Sequence, residues 1–313
     1  MSEYLAPNLK IVALGGGHGL AASLRALKKL TPHLTAVVGV SDNGGSSGRL
    51  RKEFDVIPPG DLRMALTALC DETTGQMWAD VLQHRFAGDG PLKGHALGNL
   101  LITALWQQQG DVVAGLDAVS RLLNAQGRVL PLALQPLDVV ADVDFGDRGI
   151  QEVSGQVSVA RTEGRVIDVR LEPANPTLCS ETMDSIAEAD VIVMGPGSWF
   201  TSVMNHLVLP AMAQALRESS ARRILVANLV PQSGETDGFS AAAHLDALAA
   251  HGGGLTFDAV LIDSALQEAD LEASAQRLGA QVVSAPLADS ENPQVHNPER
   301  LARTLASFLM DGR

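Results

Sequence analysis

The apolar run Ile11-Val12-Ala13-Leu14 stops at Gly15-Gly16-Gly17-His18-Gly19 and is followed by Leu20, Leu24 and Leu27, spaced as one helix face. This reads as strand, glycine turn and helix. A second strand is expected over Ala36 to Val40, and it too ends in a loop of glycines and hydroxyls, Ser41 to Arg49, which leads into Leu50-Arg51-Lys52-Glu53-Phe54. Leu62, Leu66 and Leu69 keep helical spacing behind Asp61. A further helix is expected from about Thr74 to Ala87 with Met77, Val81 and Leu82 on its core side, and its tip is the turn Gly88-Asp89-Gly90-Pro91. Leu97, Leu100, Leu101 and Leu105 mark the buried stripe of the next helix, and another runs from Asp111 to about Ala125, stopping before Gly127.

From Val129 the period changes to short alternating runs, Val157-Ser158-Val159 and Ile167 to Leu171, so residues 129–172 are expected to form a β-rich insertion. No chemistry is visible in it. The second half returns to α/β order: a helix over Ser180 to Ala189, strands at Val191 to Met194, Ile224 to Leu229, Val260 to Ile262 and Gln281 to Ser284, and helices around Ala241 to Leu248 and Ala269 to Leu278. A last helix opens at Asn297-Pro298-Glu299 with Leu301, Leu305 and Phe308 facing in. With no tandem repeat or long linker, residues 1–313 read as one α/β domain.

Composition narrows the classes. The 46% hydrophobic content supplies a full core, and the formal charge of -13 opposes sequence-independent nucleic-acid binding. Cys70 and Cys179 give neither a metal spacing nor a disulfide framework. No run approaches a membrane span and no leader pattern opens the chain, so a cytoplasmic protein without membrane insertion is expected.

The candidate chemistry lies in the loops. Glycines let consecutive N–H groups converge on phosphate oxygens, and Asp42-Asn43-Gly44-Gly45-Ser46-Ser47-Gly48-Arg49 adds hydroxyls and a guanidinium. A glycine-rich surface turn would have the same composition. The first loop, Gly15 to Gly19, has the order that binds phosphate at a helix N-terminus. Gly195-Pro196-Gly197-Ser198-Trp199-Phe200-Thr201-Ser202 repeats that order after the strand at Val191. Trp199 or Phe200 could stack on a base or pack in the core.

Other positions carry two readings each. Asp61, after Pro58-Pro59-Gly60, could be a helix N-cap or a ligand contact, and Arg63 a first-turn cation facing an anion or a surface charge. His95 and Asn99 in Lys93-Gly94-His95-Ala96-Leu97-Gly98-Asn99 are four apart, as core polar groups or as functional ones. Asn228 ends a strand at the same rim, with Gln232 following. Glu235 and Asp237 could bind a sugar hydroxyl or a metal, or Thr236 and Asp237 could cap a helix.

The six runs Gly15 to Leu20, Ser41 to Arg51, Pro58 to Arg63, Gly94 to Asn99, Gly195 to Ser198 and Gly234 to Gly238 resemble, in order, those of the YvcK-like proteins, also called gluconeogenesis factors, which are related to the phospholactate transferase CofD. The resemblance extends from about Lys10 to Phe308. It implies a Rossmann-like three-layer α/β/α fold with a mostly parallel sheet. It also implies a cytoplasmic bacterial protein that binds a uridine-diphosphate sugar, chiefly UDP-N-acetylglucosamine, and is linked to cell shape, cell-wall precursor supply and gluconeogenic growth. The ligand contacts it implies are Gly15, Gly16, Gly17, His18, Gly19, Asp42, Asn43, Gly44, Gly45, Ser46, Ser47, Arg49, Gly60, Asp61, Arg63, His95, Asn99, Gly195, Pro196, Gly197, Ser198, Thr201, Asn228, Gln232 and Glu235. A homo-oligomer is expected.

The chain departs from the family pattern at His18, where Thr is usual, and at Asn43, where a second Asp is common. Val295-His296-Asn297-Pro298 replaces Arg-His-Asp-Thr. Losing a carboxylate at Asn43 weakens a metal site built on Asp42. The alternative is a CofD-like transferase that moves a phospholactyl or phosphoenolpyruvyl group from a guanine-nucleotide donor to a deazaflavin with Mg2+. There Asp42, Asp61 and His95 would be the catalytic candidates and Asp42 the candidate metal ligand. An NAD-dependent dehydrogenase fits less well, because Leu20 stands at the third-glycine position.

Overall fold

A computed structural model of the chain describes residues 4–71, 73, 75–231, 239–266 and 268–311. The first βα unit forms where the sequence places it, with β1 at Ile11–Gly15 and the helix α1 at Gly17–Leu27. Then follow β2 (Leu34–Val38), α2 (Gly45–Phe54), α3 (Pro59–Ala68), α4 (Gln76–Gln83), α5 (Leu97–Gln109) and α6 (Val112–Leu122). The remaining strands are β3 (Arg128–Pro131), β4 (Asp138–Asp144), β5 (Ile150–Ser154), β6 (Arg165–Glu172), β7 (Val191–Met194), β8 (Arg222–Val226), β9 (Ala259–Asp263) and β10 (Gln281–Ala285).

Seven strands make one parallel sheet in the order β10-β9-β8-β7-β1-β2-β3, flanked by helices in a Rossmann-like three-layer α/β/α arrangement. β1, β7 and β9 are buried along their whole length, as strands covered on both faces must be. The order reverses between β1 and β7, and that switch point is where open α/β sheets leave a crevice at the carboxyl ends of their strands. β4, β5 and β6 form a separate antiparallel sheet in the order β5-β4-β6. β3, which precedes it, is the edge strand of the large sheet.

Four sequence expectations change. Val157-Ser158-Val159 alternates like a strand but lies in the short helix Gln156–Val159, because Gly155 at φ 93° ends β5 with a sharp turn. α4 begins later than expected and buries Ala79 and Leu82, while Met77 is 65% exposed. α5 buries Gly98, Asn99, Ile102, Thr103 and Trp106 rather than the leucine stripe. Finally, the Ser41 to Arg49 run is not all loop. α2 starts at Gly45, so Ser46, Ser47 and Arg49 stand on its first turns.

Candidate functional site

The site is built first by the loops after β1 and β7. Gly16 caps α1 in an extended conformation and Gly17 sits at φ 57°, so the chain turns sharply and leaves the first N–H groups of α1 facing the crevice. A Cβ on Gly19 would stand 1.9 Å from the Pro196 carbonyl oxygen. The two glycine loops therefore touch backbone to backbone. Asn228, just past β8, holds the second loop from both sides: its Oδ1 accepts the Gly197 N–H at 2.8 Å and its Nδ2 donates to the Gly197 carbonyl at 2.9 Å.

Beside this contact is a cavity of about 160 Å3 lined by His18, Gly197, Asn228, Val230, Val295 and His296, among others. His296 is buried and its Nε2 has no hydrogen-bond partner. Burial pulls its pKa down to about 4 despite the nearby Asp263 carboxylate, so the ring is neutral at physiological pH. Asp263 itself is satisfied by the N–H groups of Ala265, Leu287 and Ala288.

The second part of the site is the start of α2. Asp42 Oδ1 accepts the Gly44 N–H at 2.9 Å, and Ser47 Oγ accepts the Gly60 N–H at 3.0 Å, which ties α2 to α3. Ser46 Oγ accepts from Asn99 Nδ2 at 3.0 Å and lies 2.9 Å from His95 Nδ1. Ser46 thus links the Asn99 amide to the His95 ring, its oxygen accepting from the amide while sharing a hydrogen bond with Nδ1. Burial, then the neighbouring Arg49, lowers the His95 pKa, which favours the neutral ring.

Asp61 joins the two parts. It lies in the first turn of α3, whose N-cap is Pro58, so it does not cap its own helix. Instead its carboxylate reaches the start of α1. A Cβ on Gly16 would be 2.8 Å from Asp61 Oδ2, and the Gly17 N–H bonds to the carboxylate. A carboxyl group of the chain itself thus occupies the dipole end where a phosphate was expected. Burial, then repulsion from Asp42, raises the Asp61 pKa to about 7, against the opposing pull of the Gly17 N–H and Arg63. Two adjacent carboxylates are also a donor set that suits Mg2+ when phosphate oxygens complete the shell, so Asp42 and Asp61, rather than Asp42 with residue 43, would hold such an ion. Among the described residues no three His, Cys, Asp or Glu side chains gather as a metal site.

Residues 11–299 match the family described as 2-phospho-L-lactate transferase CofD. The chain belongs to the CofD family. It is 49% identical over 304 residues to a Mycobacterium tuberculosis protein named "Putative gluconeogenesis factor", covering 94% of this chain and 89% of that one. A Halalkalibacterium halodurans "Gluconeogenesis factor" is 39% identical over 252 residues, covering 80% and 76%. The crystal structure of a UPF0052 family member from Bacillus halodurans superposes with a TM-score of 0.84 at 33% identity, covering 94% of this chain and 97% of that one.

In this CofD-family chain several expected contacts are engaged with the protein itself. Arg63 is buried, donates to Gln83 and packs its stem where a Cβ on Gly98 would be 2.8 Å away; burial and Arg85 lower its pKa to about 10, so it stays a cation. Arg49 donates to the carbonyls of Pro91 and Lys93 at 3.2 and 2.8 Å. Asn43 turns to the helix Gln156–Val159, where its Oδ1 accepts the Val157 N–H. Trp199 is buried edge-on against His244. Gln232, Glu235 and Asp237 lie outside the described residues, as does the side chain of Thr201. The helix Ala241–His251 is capped by Ser240, whose Oγ accepts the Ala243 N–H.

Sequence reasoning missed the links between the two parts. Asn205 Nδ2 donates to Ser41 Oγ at 2.6 Å, and the buried His206 lies between the carbonyls of Ser202 and Val37. Both join the end of β2 to the turn after β7. Their only sequence signal is polar character inside an apolar stretch, Val203 to Leu209.

Proposed function

We propose that this CofD-family chain is a cytoplasmic, nucleotide-sugar-binding regulatory protein whose ligand is UDP-N-acetylglucosamine, and that it acts in cell shape, cell-wall precursor supply and gluconeogenic growth as a homo-oligomer. In this reading residues 1–313 form one nucleotide-binding unit. The observation that carries it is the contact of the two glycine loops at Gly19 and Pro196, which places N–H groups and a small cavity together at the sheet's switch point. The gluconeogenesis-factor names of the relatives support the same reading.

The side chains that could do chemistry support binding without turnover. His95 and Asn99 bond to Ser46, Asn228 to Gly197, and Arg49 to two carbonyls, so these groups shape the crevice. The test is recovery of the ligand. After prolonged incubation with UDP-N-acetylglucosamine, chromatography should return it intact, and a product in stoichiometric excess over protein would overturn the reading.

One observation favours the transferase reading, the Asp42 and Asp61 pair. Mg2+ held there would supply neutralisation of charge on a donor's diphosphate; Asp42 and Asp61 would hold it, and the N–H groups at the start of α2 would hold the phosphate oxygens.

A further inference from the structure

The antiparallel sheet β4–β6 carries no cluster of reactive groups; α2 holds its first strand through the Arg51–Asp138 ion pair, and the short helix Gln156–Val159 that follows β5 is held to the anion cradle at Asn43. Asn43 stands between Asp42 and Gly44, and its Oδ1 accepts the Val157 N–H at 3.1 Å. Gly155 passes so close beneath the same amide that a Cβ there would be 2.4 Å from Asn43 Nδ2. Its φ of 93° independently demands glycine. Next to this contact, a Cβ on Gly44 would be 3.0 Å from Val157 Cγ2. The same insertion also touches elements that follow β7 and β8. The helix Gln156–Val159 packs on the turn Trp199–Val203, and Asp168 Oδ1 lies 3.8 Å from His251 Nδ1.

We propose that Asn43 is a positioning residue that latches the helix Gln156–Val159 of the insertion onto the cradle, so that an anion held by the cradle's N–H groups and the order of the segment 155–160 stabilise one another. The identity of the anion rests on the nucleotide-sugar reading; the latch is a property of the chain alone. The physical basis is short. The Asn43 side chain fixes its own backbone against the insertion, and the peptides that follow Gly44, whose N–H already bonds to Asp42, are those whose N–H groups, at Gly45 to Ser47, a diphosphate would engage. Any coupling between two such sites is reciprocal. An aspartate at 43 would keep the acceptor for the Val157 N–H, and an alanine would not.

The test is amide hydrogen exchange on the full chain in three forms, parent, Asn43→Ala and Asn43→Asp, each without ligand and with saturating UDP-N-acetylglucosamine. Asn43 is exposed, so both substitutions leave the core intact. Without ligand, Asn43→Ala should speed exchange at 155–160 about five-fold, the scale of one lost hydrogen bond, and Asn43→Asp should not. With ligand, the parent should gain protection at both 42–48 and 155–160, and Asn43→Ala only at 42–48. Unchanged exchange at 155–160 in ligand-free Asn43→Ala would overturn the latch, as would full ligand protection of 155–160 in that variant. If the nucleotide sugar protects neither segment in the parent, the ligand assignment fails, and the ligand-free comparison still decides the latch.

Discussion

The Cα of Gly19 faces the carbonyl of Pro196 so closely that a Cβ would stand 1.9 Å from its oxygen. Backbone atoms cannot yield as a flexible side chain can, so Gly19→Ala must push the β1 and β7 loops apart. A stability loss of at least about 1–3 kcal/mol is expected, together with loss of nucleotide-sugar binding. Chemical denaturation and titration of the variant check both. A Gly19→Ala protein that binds as the parent does would show that the ligand does not use this contact.

Asp61 makes the two functional readings separable by protons. Its pKa of about 7 lets it be half protonated near neutrality. A diphosphate beside it disfavours the carboxylate, so binding should take up a proton and affinity should fall as pH rises above 7. If Asp42 and Asp61 held Mg2+, the sign would be opposite: Asp61 would give up its proton, and the ion would be held better as pH rises. Calorimetry in buffers of different ionisation enthalpy reads the direction, and Asp61→Asn should abolish either effect.

The same residue sets a stability trend. Between its ordinary value of 3.8 and about 7 the folded chain holds a proton that the unfolded chain gives up, so this contribution to stability is lost as pH rises through that window. Asp61→Asn, whose amide oxygen can still accept the Gly17 N–H, should be more stable than the parent at pH 8 by up to about 4 kcal/mol. The gain should shrink toward pH 4. His206 and His296, both held down to about 4 chiefly by burial, act oppositely and lose stability as pH falls from 6.5 toward 4. They are neutral in both states at pH 8, where denaturant midpoints should therefore be compared.

Ser46 is the meeting point of His95 and Asn99, and all three are buried. Ser46→Ala leaves the imidazole nitrogen and the amide N–H unpaired inside the protein. A loss of about 1–3 kcal/mol is expected, well above that of an exposed serine. A change under 0.5 kcal/mol by denaturation would mean that water replaces the hydroxyl.

The strand, glycine turn and helix at Ile11 to Leu27 were legible because burial on both faces and helical spacing leave a plain periodic trace. The same holds for β7 and its loop. What stayed hidden was the direction of side chains. Asp61 sits where a cap would, but nothing local says that it reaches across to Gly17. His95 and Asn99 were picked out as a helical pair, yet His95 precedes α5 and they meet through Ser46. The leucines of α5 misled because its buried face takes small and polar residues, Gly98 against Arg63 and Asn99 against Ser46. Asn43, a departure from the family pattern, was weighed as a ligand contact and as a lost metal ligand, while its partner Val157 is 114 residues away.

Calorimetric titration of nucleotide-free protein with UDP-N-acetylglucosamine, with GDP and Mg2+ in parallel, separates the two ligand classes. Saturable binding of one nucleotide sugar per chain is expected, weakened by Gly19→Ala, with no comparable heat from the guanine nucleotide. Preference for GDP with Mg2+, with proton release, would contradict it and make Asp42 and Asp61 the metal pair of a transferase.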